Sequence, residues 1–278
     1  MATEHLPQFR CAAVHDPAFH RHQECKARRQ GVTRPREPPR RRQRRHRNTC
    51  SVSGGAERGA VFPLSSSAAI SRGMPHPEII LIRHGQTEWN RAGRIQGQGN
   101  SVLTDLGQSQ ATAYGALLAG QLAPLDGHAL YRSPAGRCAQ TTELACAAAG
   151  LDPAAFTVDN RLIEKGYGRW EGMTRPEIAQ AGDEAELAAM DADPWGHRPP
   201  DGGESLQDVM DRARAWLIGL DAAQPVIVVC HGGTGRTLIR SYLDLSVDET
   251  LAIRMRQDVI FHLTARGLDI LETGAEMS

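Results

Sequence analysis

Two stretches of the chain share one pattern: an aliphatic run, then histidine, then glycine. Ile79-Ile80-Leu81-Ile82 leads into Arg83-His84-Gly85, and Val226-Ile227-Val228-Val229 leads into Cys230-His231-Gly232. Unbroken aliphatic runs of this length, bounded by turn residues, predict strands buried on both faces, the mark of a central parallel sheet. Each run therefore delivers a histidine to the carboxyl edge of the sheet, where open α/β folds place their ligands. Either histidine alone reads more simply as a hydrogen-bonded structural residue; the repetition shifts the reading toward a site.

Between and around these strands the pattern predicts helices and further strands. Thr104 caps a helix to about Ala119 with Ala113, Leu117 and Leu118 on its inner face. A short strand at Ala129 to Tyr131 feeds Ser133 as N-cap and Pro134 as first helical residue. That start puts Arg137 in the first turn of a helix to about Ala149, leaning back toward the edge that holds Arg83. Phe156 to Asp159 suits a strand, and residues 161–172 an irregular segment anchored by Tyr167 and Trp170. Within it Glu164 neighbours apolar residues, where partial desolvation would let a carboxyl hold a proton near neutrality. Residues 175–200 read as a weak helix and a Pro/Gly loop, a rim or lid over the site. Ser205 caps a helix with Asp208 in its first turn and an apolar face of Leu206, Val209, Met210, Ala213, Trp216, Leu217 and Leu220. A helix follows His231, another runs from Val247 to Arg254, and strands at Val259 to Thr264 and Leu268 to Leu271 close the chain. The fold class is α/β, a three-layer sandwich whose mostly parallel sheet carries helices on both faces.

Charge divides the chain into unlike parts. Residues 1–73 hold 15 Lys/Arg against 5 Asp/Glu and residues 74–278 hold 17 against 27, so the net charge of zero is a cancellation. The first part contains Arg40-Arg41-Arg42-Gln43-Arg44-Arg45-His46-Arg47 and no periodic apolar stripe, the composition of a disordered extension. As a nucleic-acid arm it lacks interleaved aromatics, so nucleic acid is not an expected partner. Its Arg/Ser-rich, acid-poor character also resembles an organellar transit peptide. The favoured expectation is that Met74 is the biological start and residues 1–73 lie upstream of the native protein. Cys11, His15, His20, His22 and Cys25 match no zinc spacing. Cys138, Cys146 and Cys230 read as small core residues of a reducing compartment, which predicts a cytoplasmic protein. No apolar run approaches the roughly 20 residues that span a bilayer, and oligomeric state is not legible.

Two histidines, two arginines and a glutamate converging on one sheet edge, with glycine amides and a helix N-terminus, describe a site for a dianionic tetrahedral group. The arginines would bind phosphate oxygens and, by repulsion, keep a nearby imidazole deprotonated and nucleophilic. No Walker-type loop and no carboxylate cluster for magnesium is present in the sequence, so phosphoryl transfer through a phosphohistidine, with neither metal nor cofactor, is the mechanism that fits.

The stretch from Leu81 to Asn90, Leu-Ile-Arg-His-Gly-Gln-Thr-Glu-Trp-Asn, resembles the signature of the histidine phosphatase superfamily, which includes cofactor-dependent phosphoglycerate mutases. The likeness runs from about Pro77 to Leu271. It takes in Ser133-Pro134 with Arg137, Gln140 and Thr141; Glu164 with Gly168, Trp170, Glu171 and Gly172; Gly202 to Ser205; and His231-Gly232-Gly233. The resemblance implies a phosphoglycerate mutase-like fold. It implies phosphorylation of His84, binding of the phosphoryl group by Arg83, Arg137 and His231, and proton transfer by Glu164. Asn90, Gln96, Gly97 and Gly232 match positions lining the phosphate pocket. Asn100 stands where an Asp is usual and Val102 where Pro is usual. The compact catalytic portion, Gln86-Thr87-Glu88 and Trp170-Glu171-Gly172 look more like the phosphatase branch than the mutases. The expectation is a phosphomonoester hydrolase acting on a small phosphorylated metabolite. The alternatives are a mutase-type phosphotransferase and a non-catalytic binding protein on the same scaffold.

Overall fold

The computed structural model describes residues 76–275 of the 278-residue chain. The predicted extension, the Met74 start and the cysteine and histidine grouping between 11 and 25 lie outside the described residues. The elements are β1 (Ile79–Arg83), α1 (Glu88–Arg91), α2 (Asp105–Gln121), β2 (Ala129–Arg132), α3 (Gly136–Ala149), β3 (Thr157–Val158), α4 (Arg175–Ile178) and α5 (Glu184–Ala192). They continue with α6 (Leu206–Ile218), β4 (Val226–Cys230), α7 (Gly232–Leu243), α8 (Val247–Ala252), β5 (Val259–Thr264) and β6 (Gly267–Glu272). The strands form one sheet in the order β3-β2-β4-β1-β5-β6, parallel through β1 and antiparallel across β5 and β6.

Because strand side chains alternate between faces, β1 feeds two cores. Ile79 and Leu81 pack with Trp216 and Leu217 of α6 and Leu238 and Ile239 of α7. Ile80 and Ile82 pack with Tyr114, Leu117 and Leu118 of α2 and with Cys138, Ala145 and Cys146 of α3. Helices on both faces of the sheet give the predicted three layers. Complete burial of each such aliphatic side chain contributes about 1.5–3 kcal/mol, so β1 is a firm platform for the residues at its carboxyl end.

Register decides which residues that platform presents. Ile79 lies opposite Val226 and Arg83 opposite Cys230, and His84 N–H donates to Cys230 O at 3.0 Å. His84 and His231 therefore leave the sheet side by side. A slip by one residue would send every β1 side chain to the other face and part them.

Several local expectations are corrected. Ser133 is not the cap of α3: its N–H is still paired to Val229 O at 2.9 Å, Ala135 occupies the cap position without a side-chain bond, and Pro134 precedes the helix. The inner face of α2 is carried by Ala111, Tyr114, Leu117 and Leu118, while Ala113 is half-buried. β3 has only two residues and α8 ends at Ala252. Ser205 does cap α6, with Asp208 completing a reciprocal capping box.

The 175–200 segment is more structured than its composition predicts. α4 and α5 are joined by a π turn in which Gly182 takes φ +94°, a conformation other residues rarely adopt. Its closing loop is pinned. His197 stacks on Trp170 with ring centroids 6.0 Å apart, and Trp195 lies beneath the Arg240 guanidinium. No helix among the described residues is long and apolar enough to cross a membrane.

Candidate active site

The carboxyl ends of β1 and β4 hold two buried imidazoles whose ring centroids are 5.3 Å apart at an interplanar angle of 64°. His84 Nδ1 lies 2.8 Å from Gly85 O. A carbonyl only accepts, so Nδ1 carries the proton and Nε2 is left with its lone pair. His231 is set the opposite way. Arg137 Nε, which only donates, lies 3.2 Å from His231 Nδ1, so Nε2 carries the proton and donates to Ser133 Oγ at 2.7 Å.

Both imidazoles are held well below the ordinary histidine value. For His84 burial is the largest cause, followed by the charges of Arg137 and Arg83. For His231 burial again leads, with Arg137, His84 and Arg83 adding to it. The arginine repulsion expected from the sequence is present, but it is secondary to desolvation.

Each arginine reaches the site from a different element. Arg83, the last residue of β1, donates through Nη1 to Met255 O, while its Nε is buried without a partner among the described residues. Arg137, in the first turn of α3, is fully buried and donates to Gly99 O at 2.6 Å and Gly97 O at 2.7 Å besides His231. It thereby ties the 97–99 loop to the second histidine. Gly97 has φ +53°, and a Cβ there would meet Glu171 Oε1 at 2.2 Å, so both backbone and space require glycine. Glu171 holds the same loop by accepting from Gln98 N–H at 2.9 Å and Gly99 N–H at 2.8 Å.

Glu164 lies at the amino end of α7. It accepts from Gly233 N–H at 3.0 Å, Thr234 N–H at 3.1 Å and its neighbour Lys165 N–H at 2.8 Å. Gly232 N–H has no partner among the described residues and remains available to a ligand. Asn90 completes a capping box with Thr87 and accepts from Gln257 Nε2 at 3.1 Å. Gln96 Oε1 accepts from Thr87 Oγ1 at 3.2 Å, while its Nε2 is buried without a partner among the described residues. Two of the predicted ligand-binding side chains, Arg83 and Gln96, thus hold buried donors with no acceptor among the described residues. An anion would supply acceptors for them.

All nine predicted site residues lie in the loops and element ends around this sheet edge. Sequence reasoning missed the supports: Ser133 as the partner of His231, Thr141 Oγ1 accepting Gly85 N–H at 3.1 Å, and Gln257 donating to His84 O at 2.9 Å. Thr141 lies one turn after Arg137, a spacing that marks a shared helix face. Gln257 has no local signature.

A family model described as "Histidine phosphatase superfamily (branch 1)" matches residues 79–267. The chain belongs to that superfamily. It is 37% identical over 180 residues to a glucosyl-3-phosphoglycerate phosphatase of Mycolicibacterium vanbaalenii, covering 61% of this chain and 76% of the relative. A Salmonella paratyphi C relative named for phosphoglycerate mutase GpmB is 30% identical over 182 residues, covering 64% and 80%. Among solved structures, a mycobacterial glucosyl-3-phosphoglycerate phosphatase in complex with VO3 aligns with a TM-score of 0.59 and 30% identity. That alignment covers 70% of this chain and 98% of the other, and the phosphoglycerate mutase-like α/β architecture is common to both.

Proposed function

We propose that the chain is a phosphomonoester hydrolase working through a phosphohistidine on His84, without a metal ion. The observation that carries the reading is the unshared lone pair of His84 Nε2, left over once Nδ1 has donated to Gly85 O, beside the buried Arg137 and the half-buried Arg83. A neutral imidazole with that lone pair is a nucleophile across neutral pH. In the proposed reaction Nε2 attacks phosphorus in line, the ester P–O bond breaks, and Glu164 protonates the departing alcohol oxygen. Water then attacks the phosphohistidine, Glu164 takes its proton, and phosphate leaves with His84 restored. Arg83, Arg137, Gln96 and Gly232 N–H stabilise the charge that develops on the phosphoryl oxygens, with Asn90 holding the loop between them. His231 has one donor, Nε2–H, so its contribution to the phosphoryl group requires exchange of the Ser133 bond for a phosphate oxygen.

The names of the relatives support a small phosphorylated metabolite as substrate, glucosyl-3-phosphoglycerate among the candidates, and one relative's name favours a mutase as the second reading. Incubation with p-nitrophenyl phosphate and with 2- and 3-phosphoglycerate, each with EDTA, separates them. Phosphate release that EDTA leaves unchanged is the expected result. Interconversion of the phosphoglycerates without phosphate release would replace the hydrolase by a mutase, and loss of turnover in EDTA would overturn the metal-free mechanism.

A further inference from the structure

Glu164 stands on a segment with no regular structure. Residues 163–167 lie between two short 3₁₀ turns, Asn160–Leu162 and Gly168–Trp170, so no helix or sheet ladder satisfies their backbone groups. Several of those groups bond instead to the two members of one ion pair. Arg212, on α6, donates through Nη1 to Arg161 O at 2.8 Å and through Nη2 to Glu164 O at 3.0 Å. Glu204, just before the cap of α6, accepts from Gly166 N–H at 2.8 Å through Oε2, and its own N–H donates to Gly166 O at 2.8 Å. Arg212 closes on Glu204 with a fork, Nε to Oε1 at 3.1 Å and Nη2 to Oε2 at 3.2 Å.

The pair is anchored from the core. Ser205 caps α6 with Asp208, and Ala213, Trp216 and Leu217 of that helix pack in one cluster with Ile79 and Leu81 of β1. The side chains of Arg212 and Glu204 are only 17% and 24% exposed, so salt screens their attraction little. An ion pair so placed adds little net stability once desolvation is counted, and its effect is to fix geometry. Gln98 Nε2 donates to Glu164 O and Glu204 Oε2 at 3.3 Å each, which joins the 97–99 loop to the same pair. On the other side the Glu164 carboxylate meets the first turn of α7, where Gly233 and Thr234 N–H precede the intrahelical ladder and have Glu164 as their acceptor. Glu164 is thus held by its main chain from α6 and by its side chain from α7.

A general acid works only within hydrogen-bond reach of the leaving oxygen, and a misplacement of about 1 Å costs about 10²-fold in rate. His84 leaves the end of β1 directly and is placed by the sheet. Glu164 has no strand or helix beneath it, and the Arg212 fork serves two carbonyls and a carboxylate at once, which a lysine does not. We infer that Glu204 and Arg212 are positioning residues for Glu164, holding its carboxyl where it gives a proton to the departing alcohol. The assignment rests on the phosphomonoesterase reading. It gives the Gly202 to Ser205 motif two tasks, capping α6 and placing the acid.

The test compares Arg212→Lys and the nearly isosteric Glu204→Gln, in the full chain, on glycerol 3-phosphate and p-nitrophenyl phosphate. In kcat/KM, which ends at ester cleavage, Arg212→Lys is expected to lose about 10- to 100-fold on the alkyl ester. It loses much less on the aryl ester, whose phenolate departs without a proton, and Glu204→Gln shows a smaller loss with the same bias. On a Glu164→Gln background both substitutions should have little further effect, since the acid they place is gone. An equal loss on both esters, or a loss that persists in full on Glu164→Gln, would overturn the assignment and move the pair's effect to the fold or to His231, whose pKa Arg212 also presses down. Amide hydrogen exchange reads the same placement without turnover: in Arg212→Lys the Gly233 and Thr234 amides lose protection, while Gly85 N–H, paired to Thr141, keeps it. Unchanged protection at Gly233 and Thr234 would overturn the assignment as well. If neither ester loses phosphate while that protection still falls, the placing of Glu164 stands and the hydrolase reading fails.

Discussion

At the end of β1, His84 Nδ1 donates to the adjacent carbonyl of Gly85; at the end of β4, His231 Nδ1 accepts from Arg137 and Nε2–H donates to Ser133. Both histidines follow an aliphatic strand, precede a glycine and are buried, and the register sets them side by side. Their neighbours make them different reagents. The first keeps a lone pair free for attack, and the second has both nitrogens engaged and one proton to give. The pair teaches that the strand-His-Gly pattern delivers an imidazole to the edge, while chemistry is assigned by the atoms that fix its tautomer.

The comparison breaks first at the nucleophile. His84→Ala is expected to cut kcat by about 10⁴-fold or more, the scale of removing a covalent nucleophile, and stopped-flow or end-point phosphate assays measure it. His231→Ala removes only charge stabilisation. Its expected loss is about 10²- to 10³-fold, as for one oxyanion donor, and equal losses in the two variants would refute the division of roles. Glu164→Gln sharpens the picture through the leaving group: a loss of about 10²-fold or more with an alkyl phosphate shrinks with p-nitrophenyl phosphate, whose phenolate departs without a proton.

Ser133→Ala leaves both histidines in place and frees Nε2–H of His231, together with Ala135 N–H from its longer 3.3 Å bond. A change of about tenfold or less in kcat is expected, the worth of a single hydrogen bond. The smallest effect is that of pH. Both imidazoles are held well below the ordinary value near 6.5, so kcat/KM should show no acid limb from His84 until well under that pH. Stability follows the same sign. Below about 6.5 the unfolded chain takes up protons that the buried histidines refuse, so stability falls as pH drops through that range, and the urea midpoint should be lower at pH 5.5 than at pH 7.5.

The strands and the sheet edge, and the placing of His84, His231 and Arg137 at that edge, are legible in the sequence because aliphatic runs ending in His-Gly, and a helix start before Arg137, are local signals. Ser133 misleads for the same reason. Ser-Pro is a strong local helix start, but the residue is still paired with β4, a tertiary fact that turns its hydroxyl to His231. The supports from Gln257 and Met255 are not written locally, since they lie 173 and 172 positions from the residues they hold, and the His231 tautomer is set by Arg137 and Ser133, 94 and 98 positions away. The 175–200 rim reads as weak helix because its order rests on stacking of His197 against Trp170 and on Asp183 accepting from Trp170 Nε1 at 2.7 Å, not on periodicity.

The division of roles between the two imidazoles is tested most directly by trapping the phosphoenzyme. After brief reaction with a phosphomonoester and an alkaline quench, peptide mapping should place acid-labile phosphate on Nε2 of His84, in the unmodified chain and in His231→Ala alike. Phosphate on His231, or label that survives in His84→Ala, would contradict the account.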